Sequence, residues 1–203
     1  MKVLPATDEN IRRAATLVKL GNIVVYPTET VYGVGCAPKI PEAAKRICYL
    51  KGRADKHLPL ACSDIDEARR IVEFNTAAER LAERFWPGPL MLILQAKVDY
   101  SIWVTHGAST LGVRVPDHEV SRELARLSGG VIVSTSANKS GEPPTITASA
   151  ASEAIGAGVD IILDGGRSPG GVASTIVDVS GTSPWILRKG PITVDQIKEA
   201  LTS

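Results

Sequence analysis

Apolar and polar positions follow two different periods along this chain, and the switches between them divide it into short helices and shorter strands. Ile11, Ala14, Ala15 and Val18 recur at helical spacing, with Thr7 before them as a cap and Gly21 after them as a stop, which predicts a first helix. Ile23, Val24, Val25 and Tyr26 form a β-branched run closed by Pro27, which predicts a buried strand opening into a loop over 28–36. Pro41 in a first turn, with Ala44, Ile47 and Cys48 inward, predicts a second helix that ends before Gly52. Ser63 as a cap with Ile65, Ala68, Ile71 and Val72 inward predicts a third. A fourth over 77–85 is broken by Trp86-Pro87-Gly88-Pro89.

Strands are predicted at 90–96, 111–115 and 131–133. Between the last two, Asp117 caps a helix carrying Val120, Leu124 and Leu127, with Gly129 and Gly130 as its exit. The tail adds a helix over 148–155, strands at 161–163, 175–179 and 185–187, and a last helix over 194–201 whose capping box is Thr193 and Gln196. Helices and strands interleave throughout, yet several late strands follow each other through turns. That predicts an α/β fold, layered around a mixed sheet. With no internal repeat and no linker longer than a turn, residues 1–203 are expected to form a single domain.

Composition narrows the function classes. The chain has 203 residues, 44% hydrophobic and 22% charged, with a net charge of +1, which sets aside disordered and collagen-like readings. No apolar run approaches the roughly 20 residues that cross a bilayer, and the N-terminus has no signal-type apolar core, so a cytoplasmic protein with no membrane partner is expected. Cys36, Cys48 and Cys62 are an odd number without a C-x-x-C pair. His57, His106 and His118 are scattered, so neither disulfides nor a protein-held metal is expected. The near-neutral total conceals a local excess: residues 45–56 hold Lys45, Arg46, Lys51, Arg53 and Lys56 against Asp55 alone. Such a concentration suits a compact anion pocket better than an extended nucleic-acid track.

The candidate chemistry lies at strand ends. The segment 27–33 places Thr28, Glu29 and Thr30 in a loop after a buried strand, where they face a cleft or satisfy a turn's own backbone. Lys51-Gly52-Arg53 sets two cations one residue apart, able to grip neighbouring phosphate oxygens or to complement a helix end. Ser134-Thr135-Ser136-Ala137-Asn138 follows an apolar strand, offering small donors and acceptors to a polar ligand or to an Asx turn. Residues 165–171 are glycine-rich, either a phosphate wrap or a surface turn, with Ser174 and Thr175 at its exit. No G-x-S-x-G elbow, phosphate-binding P-loop or complete dinucleotide fingerprint is present.

Taken in order, these segments resemble the YrdC-type family of threonylcarbamoyl-AMP synthases. The resemblance runs through residues 26–33, Lys51-Gly52-Arg53, 85–90, 112–116, 134–138, 173–176 and Leu187-Arg188-Lys189-Gly190. It implies a twisted mixed β-sheet flanked by helices, with a large basic concave cleft. It implies an enzyme that uses ATP, bicarbonate or CO2 and L-threonine, with Mg²⁺, to make the activated intermediate for threonylcarbamoyladenosine in tRNA. A downstream threonylcarbamoyl transferase complex would be its partner. By the family pattern Lys51, Arg53, Ser136 and Asn138 form the functional tetrad, with Thr110 and Arg188 also on the nucleotide. Thr28, Cys62, Arg114, Ser134 and Ser174 would line the threonine pocket. Two positions depart from the pattern: Ala54 replaces a frequent Pro, and Cys62 stands where two-domain members carry His. The C-terminal domain of those longer members has no counterpart in these 203 residues, so the short, single-domain form is expected. The alternative reading is a module of the same fold that binds double-stranded RNA or tRNA without chemistry.

Overall fold

A computed structural model describes residues 2–52 and 57–202, so Arg53 and Ala54 lie outside the described residues. The chain runs β1 (Lys2–Pro5), α1 (Asp8–Lys19), β2 (Val24–Tyr26), β3 (Gly33–Gly35), α2 (Pro41–Leu50) and β4 (Leu60–Cys62). Next come α3 (Ile65–Ile71), α4 (Thr76–Phe85), β5 (Leu90–Gln95), α5 (Ile102–Thr105), β6 (Thr110–Arg114) and α6 (Glu119–Leu127). The last part holds β7 (Val131–Val133), β8 (Thr135–Ser136), α7 (Ala148–Ile155), β9 (Ile161–Asp164), β10 (Thr175–Asp178), β11 (Trp185–Arg188) and α8 (Val194–Thr202).

The fold is mixed α/β, but its strands divide into two sheets where the periodicity suggests one. One has the order β1-β9-β2-β3-β8 and the other β11-β10-β5-β6-β4-β7, and each combines parallel with antiparallel pairs. The chain leaves the second sheet at the end of β7 and enters the first at β8, with Ser134 as the residue between them. Main chains approach closely at this crossing: Val133 N donates to Cys36 O at 2.9 Å, and Ser134 N donates to Pro59 O at 2.8 Å. A Cβ on Gly35 would lie 2.2 Å from Val133 O, so only glycine allows that approach. Alternation along β2 sends Val24 and Tyr26 to a core shared with α1 and α6. Val25 points to the larger core that holds Ala44 and Ile47 of α2 and Ala151 of α7.

All seven predicted helices appear, and two of their four predicted N-caps hold. Thr7 Oγ1 accepts from Asn10 N, and Thr193 and Gln196 exchange both bonds of their capping box. Two caps differ. Asp64, not Ser63, caps α3, its Oδ1 accepting from Glu67 N at 2.9 Å while Ser63 Oγ donates to its other oxygen. The helix after β6 starts at Glu119, so His118 takes the cap position and Asp117 falls one residue outside it. The predicted loop over 28–36 contains β3, whose glycines carry no strand propensity and whose pairing comes from β2 and β8. Among the described residues no helix is long and apolar enough to cross a membrane.

Candidate active site

The strand-switching geometry opens a cavity of about 560 Å³ between the two sheets. Its floor is one face of the second sheet. In β5 Leu90, Leu92 and Leu94 enter the core, which leaves Met91 and Ile93 on the cavity side. In β10 Val177 is buried and Ile176 and Asp178 face the cavity, as do Thr110 and Gly112 of β6. The opposite wall comes from the loop after β2 and from Ser134, Thr135 and Ser136.

At one end a buried arginine is held from several directions. Arg114 Nη1 donates to Thr30 Oγ1 at 3.1 Å and to Ser174 Oγ, and Nη2 lies 3.6 Å from Glu29 Oε2. The side chains of Arg114 and Glu29 are only 7% and 14% exposed, and both Glu29 oxygens are buried without a hydrogen-bond partner among the described residues. Thr28 Oγ1 lies 2.9 Å from Thr30 Oγ1 and donates to Val31 O at 2.7 Å. The proton between the two hydroxyls therefore comes from Thr30, which turns the free lone pairs of Thr30 toward the guanidinium. Arg188 Nε donates to Ser174 O at 2.9 Å, which places a second arginine beside the first.

The other cationic corner is built on main chain. Lys51, 2% exposed, ends α2 and donates through Nζ to Ser136 O at 2.5 Å and Asn138 O at 2.7 Å. Ser140 N donates to Lys51 O at 3.0 Å, and Asn138 Nδ2 donates to Lys139 O and Glu142 O, so the 136–142 turn is tied to the helix end. Asn138 Oδ1 is buried and has no hydrogen-bond partner among the described residues. Tyr32 lines the cavity, and its hydroxyl donates to Gly166 O at 2.6 Å and accepts from Gly165 N, anchoring the glycine-rich turn. Burial pushes that phenol up to about 12, so it stays protonated at neutral pH.

Seven of the residues assigned to the site by the family pattern thus line one cavity: Thr28, Thr110, Arg114, Ser134, Ser136, Ser174 and Arg188. Lys51 and Asn138 join it through Ser136 and are not themselves in the lining, while Arg53 lies outside the described residues. Cys62 sits in β4, fully buried in the core and away from the lining, and burial, with Asp64 and Glu67 nearby, pushes its thiol up. The positive charge of the 45–56 stretch also spreads. Lys45 lies over the Trp103 ring at 5.2 Å and Arg46 pairs with Asp160 at 3.1 Å, both on the exposed surface. Among the described lining residues the arginines are Arg114 and Arg188 and the one carboxylate is Asp178. Sequence reasoning placed Glu29 and Thr30 in a candidate loop without seeing them as partners of Arg114, and it missed Asp178. The signal for Asp178 was the alternation Ile176, Asp178 on the side of β10 opposite buried Val177 and Val179. Among the described residues no three His, Cys, Asp or Glu side chains are grouped to hold a metal.

Known proteins resemble this chain in sequence and fold. Residues 16–190 match the Sua5_yciO_yrdC family, described as "Telomere recombination". A threonylcarbamoyl-AMP synthase of Pyrococcus abyssi is 37% identical over 193 residues, 94% of this chain and 57% of its own. One from Idiomarina loihiensis is 40% identical over 167 residues, 79% of this chain and 87% of its own. The crystal structure of P. abyssi Sua5 complexed with L-threonine superposes with a TM-score of 0.95 at 35% identity, over 99% of this chain and 61% of that one. The chain thus spans less than two thirds of the length of both P. abyssi proteins. With a matching family model across most of its length and relatives above 30% identity, the chain belongs to the Sua5/YciO/YrdC family.

Proposed function

We propose that this protein is a threonylcarbamoyl-AMP synthase, which joins L-threonine, bicarbonate or CO2, and ATP into threonylcarbamoyl-AMP with release of pyrophosphate. The observation that carries the reading is the Arg114 end of the cavity, where a planar cation backed by Glu29 donates to the hydroxyls of Thr30 and Ser174, with those of Thr28 and Ser134 in the same lining. That set suits a small hydroxylated amino acid, with the guanidinium as a fork for its carboxylate. In this reading the amine of threonine attacks the carbon of CO2 and loses a proton; from bicarbonate the same carbamate forms with loss of water. An oxygen of the resulting carbamate attacks the α-phosphorus, and the bond from that phosphorus to pyrophosphate breaks. The protein supplies no covalent nucleophile, in keeping with three cysteines that are all buried.

Ser136, Thr110 and Arg188 would hold the nucleotide, with Lys51, Arg53 and Asn138 completing the phosphate corner. Positioning and charge neutralisation then carry the in-line displacement. Mg²⁺ fits as an ion that arrives with ATP, because the described lining has one carboxylate and phosphates and water supply most ligands of such an ion. The product would pass to a threonylcarbamoyl transferase complex acting on tRNA. A cavity of about 560 Å³ set between two sheets favours small ligands over an RNA duplex, whose recognition needs a surface spanning its grooves. Purified protein with ATP, Mg²⁺ and bicarbonate should release pyrophosphate in a threonine-dependent way. No release above the control without threonine overturns the proposal.

A further inference from the structure

The cavity floor is polar at its ends and apolar in its middle. Ser174, Ile176 and Asp178 lie at alternate positions on one side of the β10 segment, with Ser174 hydrogen-bonded to Arg114. Four residues of strand carry Asp178 about 13 Å from Ser174 along the sheet. An amino acid seated on Arg114 is about 5 Å long and does not cover that distance, whereas an adenylate joined to it does. Met91, Ile93, Ile176 and Leu187 lie on the floor near that far end, an apolar platform suited to a flat base.

Asp178 is the one carboxylate in the described lining, and only half of it is used by the protein. Its Oδ1 accepts from Ser180 N at 2.9 Å and from Ser180 Oγ at 2.7 Å, an Asx turn, while Oδ2 has no hydrogen-bond partner among the described residues. A carboxylate oxygen only accepts, so the ligand group facing it must donate. We propose that Asp178 selects the base of the nucleotide, its Oδ2 accepting a hydrogen bond from the exocyclic 6-amino group of a purine. A 6-oxo purine sets an acceptor against that oxygen with no proton between them, and the site rejects it. This inference rests on the reading of the cavity as a site for ATP.

The test compares ATP with ITP, which differ at that position, by threonine-dependent pyrophosphate release. Wild type is expected to favour ATP in kcat/KM by roughly 10- to 100-fold, the scale of one charged hydrogen bond. Asp178→Asn keeps an acceptor for the Ser180 turn and offers a donor where Oδ2 was. Its ATP-to-ITP ratio should fall close to one or invert, with the KM for threonine unchanged within about twofold. Ser180→Ala, which removes one bond to Oδ1 and leaves Oδ2 in place, should keep the wild-type ratio and so separates base reading from turn stability. An unchanged ratio in Asp178→Asn, or a wild type indifferent to the two nucleotides, overturns the inference and leaves the synthase reading standing. A raised Mg²⁺ requirement with the ratio unmoved overturns it in favour of a metal ligand. Absence of wild-type activity with ATP overturns both.

Discussion

Two buried cations serve this cavity, and the fold holds them by opposite means. Arg114 is backed by a carboxylate, Glu29, and by two hydroxyls. The partners of Lys51 include the carbonyls of Ser136 and Asn138, main-chain groups that orient the ammonium. The difference matters because a paired guanidinium keeps a fixed fork and little net field. Main-chain dipoles fix the ammonium of Lys51 in place beside the 136–142 turn. The first arrangement suits recognition of a small zwitterion and the second suits charge that builds on phosphate during displacement.

The largest effect should come from removing the Lys51 ammonium. Lys51→Met preserves length and apolar stem, so the loss is that of the ammonium and its bonds. Pyrophosphate release is expected to fall by about 10²- to 10³-fold, the scale seen when one preorganised charge-stabilising donor is deleted. Stability should fall by about 1–3 kcal/mol, because two carbonyls lose a charged donor. Steady-state kinetics beside a thermal melt separates the two. Activity loss that merely tracks the unfolded fraction would remove the distinction between the corners.

The Lys51 corner was legible in part, since the K-x-R element and the 134–138 run are visible as polar clusters at the ends of apolar elements. What no local pattern reveals is that the Lys51 side chain turns inward to backbone carbonyls 85 and 87 residues away. The Arg114 corner was less legible. Thr28 and Arg114 were recognisable as motif members, but the pairing of Glu29 with Arg114 depends on how the loop after β2 meets the end of β6, elements in different sheets. Helices were read well because their 3.6-residue stripes are local, and the caps at Thr7 and Thr193 lie within three residues of their partners. Strands β1, β3, β4 and β8 went unread because they have two to four residues and owe their pairing to neighbours remote in sequence. The division into two sheets at Ser134 has the same origin. A period-2 pattern reports which side a residue faces and not which strand lies beside it.

The intermediate effect tests the ion pair itself. Glu29→Gln leaves the buried guanidinium without its counter-charge and should cost about 3 kcal/mol in urea unfolding. Arg114→Met alone strands the Glu29 carboxylate and should cost a similar amount. The double variant removes both charges, so its loss should be smaller than the two single losses added, by at least about 1 kcal/mol. Strict additivity would mean that the 3.6 Å approach carries no energy and that the hydroxyls alone hold Arg114.

The smallest effect asks whether the two corners act independently. Thr30→Val keeps the branched shape and removes the hydroxyl that accepts from Arg114 Nη1 and bonds with Thr28 Oγ1. Glu29 and Ser174 remain on the guanidinium, so the fork stays but loses one of its fixed points. A net loss of about 1 kcal/mol is expected for one neutral acceptor, equivalent to a rise of about fivefold in the KM for threonine. The KM for ATP should not move, because Thr30 Oγ1 touches the arginine end and not the Lys51 turn. If both constants rise together, the hydroxyl chain of Thr28 and Thr30 reaches the nucleotide as well, and the cavity behaves as one electrostatic unit. If only the threonine constant rises, and Lys51→Met in turn lowers kcat far more than it moves that constant, recognition and charge stabilisation are carried by separate cations.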